Sequence, residues 1–156
     1  MKALIICMSV HHGNTKKVAE RMARVLEADV VQPGAIDNAV LKNYGVIGFG
    51  SGIYFGRFHR SLAAFVEKLP DMKGKKAFVF STSGPGGLYN TIMKRGFSAS
   101  LRGKGFEIMG EFSCPGWDTY GAYSWIGGLC KGRPGDKDLL RAEEFAKEMK
   151  AKMRIG

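Results

Sequence analysis

Three short segments concentrate the residues able to do chemistry, and each follows an apolar run. In CMSVHHGNTKKVAERM (Cys7–Met22), the loop Ser9, Val10, His11, His12, Gly13, Asn14, Thr15 runs straight into an amphipathic stretch. A glycine-containing turn at a helix N-terminus leaves backbone N–H groups free at the positive end of the helix dipole, which suits a phosphate. Ser9, Asn14 and Thr15 add side-chain donors, and His11 and His12 can supply more, charged or neutral. The plainer reading is Asn14 or Thr15 as an N-cap beside two surface histidines. The second segment, GSGIYFGRFHR (Gly50–Arg60), sets Ser51, Gly52, Ile53, Tyr54, Phe55 and Gly56 where a strand ends, exposing aromatic and apolar side chains. The third, STSGPGGLYN (Ser81–Asn90), places the hydroxyls of Thr82 and Ser83 before Gly84 and Gly86, with Tyr89 beyond them. Turn chemistry alone accounts for such glycines. A flat, partly apolar ligand held between two such loops accounts for the aromatics as well.

A fourth loop, Pro115–Gly135, carries Trp117, Tyr120, Tyr123 and Trp125. These either pack on the same ligand or fill a satellite cluster, and packing is the preferred reading. No residue stands out as acid, base or nucleophile. Arg57, His59 and Arg60 read as solvated residues at a helix start. The motifs exclude several classes. There is no G-x-x-x-x-G-K-S/T, no G-x-S-x-G elbow, no arginine six residues after Cys7 as a phosphatase needs, and no Asp in GFGSG as a receiver needs. Cys7, Cys114 and Cys130 form no C-x-x-C pair, so free thiols are expected and no metal.

The elements that must position these loops alternate. KALIICM (Lys2–Met8), GVIGFGS (Gly45–Ser51), KKAFVFSTS (Lys75–Ser83) and FEIMGEFSC (Phe106–Cys114) read as buried strands, and DVVQP as a short edge strand stopped by Pro33. Helical spacing joins Val18, Met22, Val25 and Leu26. It also joins Phe58, Leu62, Phe65, Val66 and Leu69, and then Ile92, Met93, Phe97 and Leu101. A last helix spans about Asp136 to Arg154, with Asp136 as N-cap, and Ile36–Asn43 forms a short one. This alternation predicts an α/β fold: a parallel sheet with helices on both faces, whose ligands collect at the carboxyl ends of the strands.

One domain, residues 1–156, is expected from the length. The apolar run at the N-terminus is too short for a signal peptide or a span, so the default location is cytoplasmic. The net charge of +10, spread along the chain without a basic tail, favours acidic partners. No basic recognition helix or aromatic RNA platform supports nucleic acid.

With these loops in place the chain resembles the flavodoxin family over essentially its full length. The family's first-loop pattern, S/T-x-x-G-x-T followed by x-x-x-A, is met by Gly13, Thr15 and Ala19. It departs at Val10, where a hydroxyl is expected; His12 stands where a second hydroxyl is often found, and Ser9 lies one residue early. The resemblance implies a doubly wound, five-stranded parallel sheet of order 2-1-3-4-5 with FMN at the switch point, as known for flavodoxin itself. It implies a phosphate held by the amides of His11 to Thr15 and the side chains of Asn14 and Thr15, with His11 or His12 replacing lost hydroxyls. Tyr54 or Phe55 would lie against one face of the ring, Tyr89 stands where a stacking tyrosine is expected, and Gly52, Gly56 and Gly84 would let backbone approach it. The function implied is electron transfer between redox proteins. The basic charge departs from the family habit and points to acidic redox partners or peripheral contact with an anionic membrane. YFGRFHRSL also resembles flavodoxin-type protoporphyrinogen oxidases, which keeps open an oxidoreductase acting on a quinone, NAD(P)H or protoporphyrinogen.

Overall fold

The computed structural model describes residues 1–10, 12–84, 87–119 and 121–155, except the side chains of 87–90, 93, 121 and 122. The elements run β1 (Ala3–Met8), α1 (Asn14–Leu26), β2 (Asp29–Val31), β3 (Val46–Tyr54), β4 (Arg57–Phe58), α2 (Arg60–Glu67), β5 (Lys76–Ser83), α3 (Gly87–Gly103), β6 (Glu107–Pro115) and α4 (Asp136–Ile155). The sheet order is β2-β1-β3-β5-β6, all parallel, with β4 paired antiparallel to the end of β3. Setting β4 aside, this is the expected 2-1-3-4-5.

Strand period assigns the two faces. Ala3, Ile5 and Cys7 of β1 point to a core shared with Val18 and Met22 of α1 and Ala142, Ala146 and Met149 of α4. Leu4 and Ile6 point to the opposite core, with Leu62 and Val66 of α2 and Leu101 of α3. The central strand β3 shows why glycine interrupts an apolar run. Phe78 and Phe80 of β5 lie across it, and a Cβ at Gly48 or Gly50 would meet their Cζ atoms at 2.3 and 2.0 Å. The two rings take the space that side chains on β3 would fill.

Four expectations are corrected. Gly56 (φ 73) and Phe55 (φ 48) form a two-residue turn that folds the chain back as β4, so Phe58 belongs to a strand rather than to α2. The Ile36–Asn43 helix is a 3₁₀ turn over Val40–Asn43, with Asp37 Oδ1 accepting from the Ala39 amide. On α3 the buried face is Lys94, Phe97, Ser98 and Leu101, leaving Ile92 52% exposed. At the start of α4, Asp138 rather than Asp136 accepts the Gly135 amide (2.9 Å), the carboxylate half of a capping box.

Candidate functional site

The loops leaving β1, β3, β5 and β6 meet at the carboxyl ends of the strands around one cleft of about 150 Å³. Its lining is Asn14 and Thr15, Gly52 to Phe55, Thr82 to Gly84, and Gly116 to Asp118. Nine of these twelve residues are among those the sequence nominates.

The first wall is the start of α1. His12 (φ 54) and Gly13 (φ 63) are both left-handed, and Gly13 occupies the N-cap position with no side-chain cap. Neither Asn14 nor Thr15 caps the helix. A helix start has four amides without intrahelical partners, and here no cap side chain takes them. Asn14 and Thr15 are both buried. Thr15 Oγ1 lies 2.7 Å from Thr82 Oγ1, which ties the first loop to the third. Asn14 Nδ2 donates to the Trp117 carbonyl at 2.9 Å, while its Oδ1 is buried without a partner among the described residues. The amide thus anchors the fourth loop, which leaves the backbone N–H groups and the Thr15 hydroxyl as the donors this turn could offer an anion. His12 Nε2 pairs with Thr119 Oγ1 at 2.8 Å, and its ring stacks on Trp117.

The second wall is the end of β3. The Val10 amide donates to Tyr54 Oη at 3.2 Å, so the phenol reaches across to the first loop. Its ring lies over Gly52, where a Cβ would come 2.8 Å from Tyr54 Cζ, and meets His59 edge-on at 5.4 Å. Ser51 faces away from the cleft: its Oγ donates to the Gly52 carbonyl and accepts from the His59 amide. His59 caps α2, its Nδ1 accepting from the Ser61 amide. Phe55 stands out at the turn, 82% exposed. Ser9 and Val10 flank the cleft without lining it, and Gly56, the second residue of the turn, does not line it either. His11, Gly86 and the Tyr89 side chain lie outside the described residues.

The third wall comes from the fourth loop, for which contact with the ligand is the less favoured of the two sequence readings. The fourth loop closes on itself through Trp117 N–H to Arg133 O (2.8 Å), Asp118 N–H to Leu129 O (2.8 Å) and the Trp117 indole N–H to Gly127 O (3.0 Å). This turns Gly116, Trp117 and Asp118 into the cleft. Asp118 lies so close to Gly84 that a Cβ there would meet its Oδ2 at 2.6 Å. The preferred sequence reading, simple packing, fails for Trp117, which lines the cleft. It also fails for Trp125, which is 90% exposed. A signal was present for Asp118: it is the sole acidic residue between Pro115 and Gly135. Tyr120 is outside the described residues.

Burial pushes the thiols of Cys7 and Cys114 up to about 12, so neither serves as a nucleophile at neutral pH. Among the described residues no three His, Cys, Asp or Glu side chains gather as a metal site, and no helix is long and apolar enough to cross a membrane. The arrangement suits a phosphate ester with a flat apolar portion. It supplies unpaired amides at one end, hydroxyls from Thr15, Thr82 and Ser83 between, and aromatic side chains at the rim.

The family model "Flavodoxin domain" matches residues 5–107. The uncharacterized protein MJ0298 of Methanocaldococcus jannaschii is 45% identical over 149 residues, which cover 96% of this chain and 98% of that protein. A solved flavodoxin from the domain Archaea superposes with a TM-score of 0.76 at 19% identity, covering 99% of both chains. Flavodoxin 2 of Bacillus cereus gives 0.76 at 20% identity, covering 97% of this chain and 99% of that one. The rubredoxin oxygen:oxidoreductase of Desulfovibrio gigas gives 0.72 at 14% identity, and there 99% of this chain matches only 36% of the other.

Proposed function

Because the chain belongs to the flavodoxin family, we propose that its cleft binds FMN and that the protein carries electrons between redox partners. The observation that carries this reading is the uncapped start of α1 opening into a cleft walled by Tyr54, Phe55 and Trp117. Backbone amides of α1's first turn and the Thr15 hydroxyl would hold the phosphate, helped by the helix dipole. Thr82 and Ser83 offer hydroxyls to the polyol, and Tyr54 and Trp117 offer aromatic surface to the ring. Bound FMN supplies one- and two-electron chemistry, and the chain's part is to hold it, exclude water and set its potential.

The lining also favours a carrier over an enzyme with its own small-molecule substrate. Among the described lining residues, Asp118 is the only carboxylate, and there is no His, Lys or Cys to shuttle protons. The test is a visible spectrum of the purified protein before and after incubation with FMN, with mass analysis of whatever heat releases. A flavin spectrum and FMN in one-to-one ratio are expected. A protein that stays colourless in excess FMN refutes the reading. Steady turnover of a quinone or NAD(P)H by the loaded protein would replace the carrier with the oxidoreductase.

A further inference from the structure

The cleft opens on a face whose charge is one-sided. The four segments framing it, residues 9–17, 51–61, 83–95 and 115–135, hold eight Lys and Arg against one acidic residue, Asp118. The rest of the chain, with sixteen basic and thirteen acidic residues, is close to balance. Not all eight charges are free to act. Lys94 is buried, Arg133 is tied to Asp138, and Lys16 faces Glu20 at 3.9 Å. Lys17, Arg57, Arg60, Arg95 and Lys131 are exposed and have no ion pair among the described residues.

The loops on this side also carry strongly exposed apolar side chains. Leaving aside the chain ends, the three highest among the described residues are Trp125 at 90%, Phe55 at 82% and Ile126 at 71%. Phe55 is held out by backbone at φ 48, a region a bulky residue rarely adopts. Such strain persists where the surrounding structure enforces it, and it concentrates at functional positions. Trp125 and Ile126 end a 3₁₀ turn in the loop whose other end lines the cleft.

We propose that this face docks an acidic protein surface. The five exposed cations steer and orient the partner, and Trp125, Ile126 and Phe55 enter apolar recesses on it. The proposal rests on the carrier reading above, and names the partner class for that site. Separate apolar points within a basic field match the anchor-and-rim make-up of protein interfaces. An amphipathic helix lying in a bilayer interface would present a continuous apolar face. Here the helix starts around the cleft carry Lys16, Lys17 and Arg60 instead.

The experiment titrates the full chain with an oxidised, acidic clostridial-type ferredoxin by calorimetry, at low salt and at roughly physiological salt. Binding that weakens at least about tenfold with salt is expected for the unaltered protein. The combined variant Lys17→Glu, Arg57→Glu, Arg60→Glu, Lys131→Glu should lose it. Trp125→Ala should weaken it about tenfold and keep the salt dependence. FMN affinity, read in parallel by flavin fluorescence quenching, separates the two claims. Retained FMN binding with lost ferredoxin binding supports the docking face. Ferredoxin binding by a protein that takes no FMN overturns the cofactor reading and leaves docking standing. No salt-sensitive binding, or unchanged affinity in both variants, overturns the proposal. So does binding to phosphatidylglycerol vesicles, abolished by the same substitutions, in a protein that ignores the ferredoxin.

Discussion

The imidazole of His12 lies nearly flat on the indole of Trp117, with ring centroids 4.0 Å apart and planes 22° from parallel. With the hydrogen bonds between Asn14 Nδ2 and Trp117 O and between His12 Nε2 and Thr119 Oγ1, it fastens the fourth loop to the turn that opens α1. The two segments stand about a hundred residues apart in sequence yet act as one wall. Trp117→Ala removes the stack and the indole surface together. The expected result is FMN affinity lower by about tenfold, the size of one lost aromatic stack and its ordering. Fluorescence quenching reads this, and unchanged affinity would take the fourth loop out of the site.

Thr15 and Asn14 open α1 and serve the cleft in different ways, one through its hydroxyl and one by holding the loop. Replacing both with alanine leaves the Thr82 hydroxyl and the Trp117 carbonyl without these partners. Affinity for FMN should fall at least about tenfold, which corresponds to about 1.4 kcal/mol. Equilibrium titration of the double variant checks it, with circular dichroism confirming the fold.

Asp138 is 2% exposed and accepts from the Arg133 guanidinium and the Gly135 amide. The Arg133 hydrogen bonds, outweighing the opposing effect of burial, hold its carboxyl below the usual range. A carboxyl whose folded pKa is depressed stabilises the fold fully above its unfolded value of about 3.9, and loses that contribution as pH falls through the folded value. Asp138→Asn should therefore cost about 2 kcal/mol at neutral pH. The gap to the unaltered protein should shrink below about pH 4. Urea unfolding at the two pH values decides it; a gap independent of pH would contradict the assignment.

Cys7 and Cys114 are buried thiols raised to about 12, whereas Cys130 is partly exposed. A thiolate-specific disulfide reagent at neutral pH should titrate one cysteine rapidly and the other two only after unfolding. Cys130→Ser should abolish the rapid phase. Fast reaction of all three in the native protein would show that the core between the sheet, α1 and α4, which holds both buried thiols, opens more readily than its packing implies.

The one-sided charge would bear on the potential of a flavin bound in the cleft. A cation about 10 Å from the ring favours the anionic reduced form by roughly 0.4–1.7 kcal/mol at effective dielectrics of about 80 to 20. That is on the order of 20–70 mV per charge before salt screening. The more negative one-electron couple should thus lie higher than in acidic relatives, and it should fall when Arg57 and Lys131 are changed to glutamate. Spectroelectrochemical titration of both proteins reads the shift; identical potentials would mean that solvent screens these charges entirely.

Local pattern was enough for the architecture. The apolar alternation of β1 and β5 sorts residues between two cores without reference to anything distant, and the loops after β1, β3 and β5 announce themselves by glycine and hydroxyl content. Where local signals competed, the sequence misled. Phe58 falls in helical phase with Leu62, yet the turn at Phe55 and Gly56 pairs it into a strand. Ile92 fits the helical stripe of α3, but Lys94 takes the inward face, its Nζ donating to Ser113 of β6.

What the sequence by itself determined is the parallel α/β order and three of the four loops that converge, because strand and helix periods and turn residues act over a few positions. What only the tertiary structure decided is the third wall. Trp117 and Asp118 reach the cleft through backbone bonds to Leu129 and Arg133 and through Asn14, at separations of up to about a hundred residues. The tertiary structure also decided that the loops and helix starts carrying the one-sided charge and the exposed aromatics gather at one end of the sheet. Both depend on which distant segments the sheet brings together, and no periodicity along the chain encodes that.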